Sequence, residues 1–262
     1  MERKSDAMKI KLVYSENFPQ LKKLRKAFKV AGNGEICIAV GGDGAFVSAA
    51  KEFDGPILPI RSSKPGSSGY YADISLDDID FAIKSLKEGS YVVERLEDKI
   101  EITHRGRRHY AVNEVSLRNM HQEVNFKIYD VNRGVESEIY PYVMGGDGII
   151  ISGATGSTAY NKSAGGPIIL SPNVFCLTFL NVDGPYDNPI VVDAYRKIEV
   201  EVVKYVGILD VDGKKVAELK PGERFAVRLS KRELRVVRFP SRRESTASKL
   251  DRIIRSRMVR GI

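Results

Sequence analysis

The 262-residue chain carries 42 Lys and Arg against 34 Asp and Glu, a net charge of +8, and is 42% hydrophobic and 29% charged. These proportions are ordinary for a soluble globular protein, and the length suits one large or two medium domains of roughly 100 to 200 residues each, with two the expectation. They exclude a helical membrane protein, since no apolar run approaches the ~20 residues of a spanning helix.

The opening MERKSDAMKIKLVYSE (1–16) puts charged residues before a short apolar strand, without an h-region or cleavage signal, so a cytoplasmic protein is expected. From there the first ninety residues alternate. MKIKLVY (8–14) reads as a strand, and Pro19 opens a helix whose Leu21, Leu24 and Phe28 share a face. EICIAV (35–40) is a second strand and AFVSAAKEF (45–53) a helix. PILPI (56–60) is a short third strand, and SLDDIDFAIKSLKEG (75–89) a capped amphipathic helix. This is a βαβ pattern. From Tyr91 onward come short β-rich runs: YVVERL, KIEITH, HYAVNEVSL, EVNFKIYD, GIIIS, VFCLTFL, KIEVEVV, KVAEL, RFAVRLS and LRVVRF. Turns are expected at Asn132-Arg133-Gly134 and Asp212-Gly213, and one helical interruption at GSTAYNKSAGG (156–166). A mainly antiparallel second domain follows.

The excess charge has one location. Residues 230–262 hold eleven Lys/Arg and three Asp/Glu, and the remainder is balanced. Ser248 followed by Asp251 reads as a capping box, and Leu250, Ile253, Ile254 and Met258 fall on one helical face, so this segment is expected to dock through an apolar stripe with its basic side solvated. Nucleic acid is not assigned as a partner. Cys37 and Cys176, each inside an apolar run, are too few for a disulfide framework or a cysteine zinc site and read as small core residues. His104, His109 and His121 have no metal or triad spacing and read as surface histidines. No residues are assigned as metal ligands.

Three segments carry chemistry. VGGDGA (40–45) follows a strand and precedes a helix, where glycines let backbone N–H groups approach phosphates. It is neither a Walker A loop nor a dinucleotide fingerprint. Its Asp43 either caps the following helix, or faces a hydroxyl whose proton it takes or a metal bridging it to phosphate; the last two imply phosphoryl transfer. GGDGIIISGATGSTAYNKSAGGP (145–167) offers Thr155, Ser157, Thr158, Asn161 and Ser163 as polar groups suited to a nucleotide. AVNEVSL (111–117) places Asn113 and Glu114 inside a β-rich run, on opposite faces if the strand is continuous.

In this order, GGDG (41–44), NE (113–114), GDG (146–148), TGSTAY (155–160) with GGP (165–167), and VDG (211–213) resemble the NAD kinase family across most of the chain. The resemblance implies phosphorylation of the adenosine-ribose 2′-hydroxyl of NAD by ATP or another phosphoryl donor, with Mg2+ or another divalent cation, by a cytoplasmic homodimer or homotetramer that does not bind membranes. It implies a fold of class α/β plus β. An N-terminal Rossmann-like α/β domain (1–92 plus 238–262) would carry the GGDG loop, and a C-terminal β-sandwich-like domain (93–237) would bind NAD, with the final helix returning to the first domain. Carried onto matching positions, Asp43 is the catalytic carboxylate, and Gly41, Gly42 and Gly44 bind the donor phosphates. Asn113 and Glu114 hold the ribose and nicotinamide side of NAD, and Thr155, Thr158, Ala159, Tyr160 and Ser163 line the adenine and ribose pocket. Asp147 and Asp212 are further polar contacts, Asp147 being able to reach a neighbouring subunit. The chain departs from the family pattern at Ala45, where a hydroxyl residue is usual, at Gly153-Ala154, where Thr-Pro is usual, and at Ser68, where leucine is favoured. Two other readings compete: a lipid kinase of the diacylglycerol or sphingosine type, and a non-catalytic nucleotide sensor or nucleic-acid binder working through the basic tail.

Overall fold

The computed structural model describes residues 8–63, 69–184 and 187–259, with backbone alone for 253, 254 and 256–259. It divides into two compact units, Met1–Arg95 with Leu234–Ile262, and Leu96–Glu233.

The first unit is a parallel sheet with helices. In chain order it contains β1 (Lys9–Tyr14), α1 (Leu21–Ala27), β2 (Lys29–Val30), β3 (Ile36–Gly41), α2 (Asp43–Glu52), β4 (Ile57–Arg61), β5 (Ile74–Ser75) and α3 (Ile79–Lys87), before β6 (Val92–His104) leads into the second unit. The strand order β4-β3-β1-β2 is parallel throughout, with Ile10 opposite Ile36 and Cys37 opposite Ile57. β3 is buried at every position, which explains why ICIAV is a continuous apolar run: a central parallel strand is covered on both faces. Leu21, Leu24 and Phe28 pack with Ile38, Leu58, Ile79 and Leu86 in one core. Ser75 forms the expected capping box, on a 3-10 turn ahead of α3: its hydroxyl accepts the Asp77 N–H, and its own N–H donates to Asp78 at 3.0 Å. Both cysteines are buried, and burial pushes the Cys37 thiol up to about 12, so it packs as an inert small residue.

The second unit is antiparallel. β6 continues into β7 (Arg107–Ala111), β8 (Glu114–Arg118), β9 (Val124–Asn132), β10 (Val135–Glu138), β11 (Met144–Gly146), β12 (Gly148–Ser152), the short α4 (Tyr160–Ser163), β13 (Val174–Leu180), β14 (Ile190–Asp193), β15 (Lys197–Lys204), β16 (Gly207–Val211), β17 (Lys214–Leu219) and β18 (Arg224–Arg238). One layer runs β10-β9-β15-β18 and the other β14-β13-β12-β8-β16-β17. Phe126, Ile128 and Val200 from the first meet Ile149, Ile151, Phe175 and Leu209 from the second in a shared core. Both expected hairpins form, with positive φ at Arg133 (51°) and Gly134 (82°) and at Asp212 (46°) and Gly213 (71°).

Several details differ from the sequence reading. YVVERL and KIEITH are one 13-residue strand, in which Glu97 and Lys99 are buried and no Gly or Pro interrupts the ladder. RFAVRLS and LRVVRF likewise merge into the 15-residue β18. His104 is buried rather than at the surface, and burial holds its imidazole below the usual pKa; His121 is exposed and His109 half-buried.

The C-terminal segment belongs to the first unit, with β18 pairing to β4 at Val236 and Ile57, and its basic side is not wholly solvated as expected, since Lys249 is buried. In α5 (Thr246–Val259) the capping residue is Ser245, whose hydroxyl accepts the Ser248 N–H at 3.1 Å; Ser248 is already inside the helix. The expected apolar stripe cannot be followed, since the side chains of Ile253, Ile254 and Met258 lie outside the described residues, as does Ser68. Among the described side chains, charged groups attach the helix. Lys249 meets Asp73 at 2.6 Å, and Arg252 donates to the carbonyls of Gly69 and Ala72 at 3.0 Å each. No helix among the described residues is long and apolar enough to cross a membrane.

Candidate functional site

In the α/β unit the glycine loop joins the buried end of β3 to the start of α2. Gly41 has φ +140°, and a Cβ there would stand 2.4 Å from the Ser15 hydroxyl, so only glycine fits. Gly42 and Gly44 differ: a Cβ on either would meet nothing within 4 Å, leaving open space over the loop. Gly42 is the N-cap and Asp43 the first helical residue, with no side-chain capping bond, so the capping alternative for Asp43 is not what the fold uses. The Asp43 carboxylate instead accepts the Tyr71 N–H at 3.3 Å. Burial raises its pKa above the ordinary carboxylate range, against the lowering effect of the Tyr70 and Tyr71 N–H groups and the charges of Arg252 and Lys249. The N–H donors at the start of α2 can hold an anion, and a carboxylate so tuned can take a proton. Ala45 is buried and points its methyl toward Gly41, so this position has no hydroxyl to offer a phosphate.

The segment that holds Asp43 is itself held. Tyr71 stacks on Phe46 with ring centroids 4.2 Å apart and gives its carbonyl to Arg238 at 2.5 Å. Arg238 also pairs with Asp73 and Glu94, each at 3.1 Å.

The β-rich unit brings Asn113, Glu114, Thr155 and Asp212 together. β7 ends at Ala111 and β8 begins at Glu114, so Asn113 lies in the bend between them rather than on a continuous strand. The Asp212 carboxylate, set at the β16–β17 hairpin, accepts the N–H groups of Val112 (3.0 Å), Asn113 (2.8 Å) and Glu114 (3.2 Å). Three such bonds fix the bend. Ser152 pairs with Glu114 in the β12–β8 register, which delivers the TGSTAY turn to the same place. There a Cβ on Gly156 would stand 1.8 Å from the Asn113 carbonyl oxygen, so the two segments touch through backbone.

Tyr160, Ser163 and Asp147 gather elsewhere in this unit. They line a cavity of about 530 Å³ with Arg118, Asn119 and Asn181. Asp147 accepts from the Asn181 amide at 2.6 Å, and Arg118 is held by Asp210 at 2.7 Å. Thr158 and Ala159 lie on the turn linking the two groups. Two of the polar residues singled out in the sequence are structural. Ser157 is fully buried between the Ala154 carbonyl and the Ile169 N–H, and Asn161 bonds Ser157, Pro167 and Thr178.

Glu97 was not legible as a site residue, since it sits in a charged stretch without a motif. It is buried and its carboxylate accepts the Thr155 N–H at 2.9 Å. A Cβ on Gly153 would approach that carboxylate to 3.2 Å, so the departure at Gly153 makes room for Glu97. Burial raises the Glu97 carboxyl to about 7, against the bonds from Thr155 and Ala154. A raised carboxyl pKa stabilises the fold below the unfolded value near 4.5, and that contribution is lost as pH rises through about 7. Glu97→Gln is therefore expected to flatten the fall in melting temperature between pH 4.5 and about pH 7. An unchanged pH profile in the variant would contradict it.

Among the described residues no three His, Cys, Asp or Glu side chains cluster as a metal site. Comparison with known proteins places this geometry. The family model described as the ATP-NAD kinase C-terminal domain matches residues 112–239. The NAD kinase of Pyrococcus abyssi is 32% identical over 235 residues, covering 86% of this chain and 80% of the relative. That of Sulfurimonas denitrificans is 29% identical over 216 residues, covering 80% and 74%. Among solved structures, an NAD kinase from Archaeoglobus fulgidus in complex with ATP shares the fold with a TM-score of 0.75 at 21% identity, covering 95% of this chain and 99% of that one. Yeast NADH kinase complexed with NADH gives 0.77 at 15% identity, covering 95% and 87%. With identity of this level sustained over four fifths of a relative, the chain belongs to the NAD kinase family.

Proposed function

We propose that this protein is an NAD kinase, transferring a phosphoryl group from ATP or polyphosphate to the adenosine-ribose 2′-hydroxyl of NAD. The observation that carries the reading is Asp43, a carboxylate of raised pKa at the edge of a glycine loop whose outer face is open. A ribose hydroxyl is a poor nucleophile at neutral pH. Asp43 orients it and accepts its proton as the bond to phosphorus forms, and a base with a pKa nearer the working pH does this better than an ordinary aspartate. Gly42 and Gly44 leave space for the donor phosphates, and the start of α2 supplies N–H donors to them. The residues fit Mg2+ carried by the donor's phosphates and water, since Mg2+ rarely takes an all-protein cage, and this would leave the Asp43 carboxylate for the hydroxyl proton. When bound, it neutralises charge on the transferring group.

The β-rich unit takes the acceptor. Asn113 and Glu114, held by Asp212, contact the ribose and nicotinamide side, and Thr155, Thr158, Ala159, Tyr160 and Ser163 the adenine and its ribose. Asp147 supplies a further contact, and Asp212 acts through the bend it fixes. The protein works in the cytoplasm as a homodimer or homotetramer.

Groups that bind the acceptor alike in ground and transition states affect affinity more than turnover. Asn113→Ala is expected to raise the Michaelis constant for NAD about tenfold with little change in kcat. An NAD affinity at the wild-type level would remove Asn113 from the pocket. The reading as a whole is tested by offering labelled ATP with NAD and, separately, with diacylglycerol or sphingosine vesicles; label in NADP alone supports it, and label in lipid overturns it.

A further inference from the structure

Arg61 ends β4 directly opposite Gly41 in the β3–β4 register, so it shares the strand-end edge with the glycine loop. In open α/β sheets this edge is where ligands bind. Gly69 lies on the arginine stem, where a Cβ would stand 2.7 Å from the Cβ of Arg61. The same Gly69 gives its carbonyl to Arg252 of α5. Two guanidinium groups from distant parts of the chain thus come to one glycine, close enough that the charge of Arg61, after burial, helps hold the Arg252 pKa down.

Glu244, Asp43 and Asp73 face Arg252 and offset part of this repulsion, but they leave donors of both arginines unused. The Nε of Arg61 and the Nε of Arg252 are both buried, and neither has a hydrogen-bond partner among the described residues. A buried donor without an acceptor costs about 1–3 kcal/mol, and more when charged. Asp73 is taken by Arg238 and Lys249 and Asp43 by the Tyr71 N–H, while Glu244 pairs with the terminal nitrogens of Arg252 and leaves its Nε free. Forked, always-charged donors with spare N–H groups match phosphate oxygens.

We infer that Arg61 and Arg252 form a subsite for the polyphosphate of the phosphoryl donor, binding the phosphates behind the one transferred. The inference rests on the kinase reading for its ligand and adds to it a pair of residues outside the glycine loop. The recognised chemistry is a chain of phosphates, whether on a nucleoside or inorganic.

Arg61→Gln is the cleaner test, because the Arg61 Nε has no hydrogen-bond partner among the described residues and loss of the guanidinium leaves the segment at 69–73 held by Arg238 and Arg252. The Michaelis constant for ATP is expected to rise about tenfold or more while that for NAD stays within about twofold. Arg252→Lys, which keeps the charge but loses the fork, should shift the same constant in the same direction. Calorimetric binding of ATP and of inorganic tripolyphosphate, without NAD, separates this claim from the kinase reading. Weakening of both ligands in Arg61→Gln supports a polyphosphate subsite even if the wild type forms no NADP. Weakening of ATP alone overturns it by placing the arginine at the nucleoside. Wild-type donor constants in Arg61→Gln, or a rise confined to NAD, overturn it as well.

Discussion

Asp43→Asn is expected to lower turnover by about 100 to 10,000-fold, the range that general-base assistance supplies, while NAD binding and the fold survive. The substitution keeps the size of the side chain, and an amide oxygen can still accept the Tyr71 N–H that the carboxylate accepts at 3.3 Å. Because Gly42 rather than Asp43 is the N-cap of α2, the helix loses only the interaction of the charge with its dipole, about 0.3–1 kcal/mol. What is lost is the proton acceptor. The raised Asp43 pKa adds a second readout: the acid limb of the wild-type rate should lie above the ordinary aspartate range, since the base works only when ionised, and it should vanish in the variant's residual activity. Turnover near wild type in folded Asp43→Asn protein would remove the catalytic role.

Arg238→Ala should cost about 3–5 kcal/mol of stability, the penalty for removing one partner of a buried ion pair. Arg238 is only 5% exposed and is the common partner of Asp73, Glu94 and the Tyr71 carbonyl, so its loss strands that carbonyl and leaves the buried Asp73 carboxylate with Lys249 alone. The same loss frees the segment that carries the Tyr71 N–H, so activity should fall further than the folded fraction does. Arg238→Lys keeps the charge but cannot reach three acceptors as a planar fork, and an intermediate melting temperature is expected. An alanine variant that melts with the wild type would show that the network is not what fixes the segment.

The parts legible in the sequence were those with short-range causes. ICIAV and GGDG announced a buried parallel strand and a strand-to-helix glycine turn, and Ser75 with Asp78 announced a cap, because each signal is complete within a few residues. What escaped reading depends on distant partners. Glu97 looks like a surface acid until the TGSTAY turn arrives to give it the Thr155 N–H. Ser157 and Asn161 look like ligand donors until β13 and the GGP turn close over them. The basic C-terminal segment shows the limit most clearly. A one-dimensional pattern assigns its apolar residues to the interface and its cations to water, yet Arg238, Lys249 and Arg252 bind the carboxylates and carbonyls at 69–73. Periodicity identifies a face but not the polarity of the surface it meets.

The central claim is that this chain phosphorylates NAD. The direct measurement is incubation of the full chain with NAD, Mg2+ and either ATP or polyphosphate, following NADP with an NADP-specific dehydrogenase. NADP should accumulate with at least one donor, in proportion to enzyme and far more slowly in Asp43→Asn protein. A folded, NAD-binding protein that forms no NADP with any donor would contradict the account.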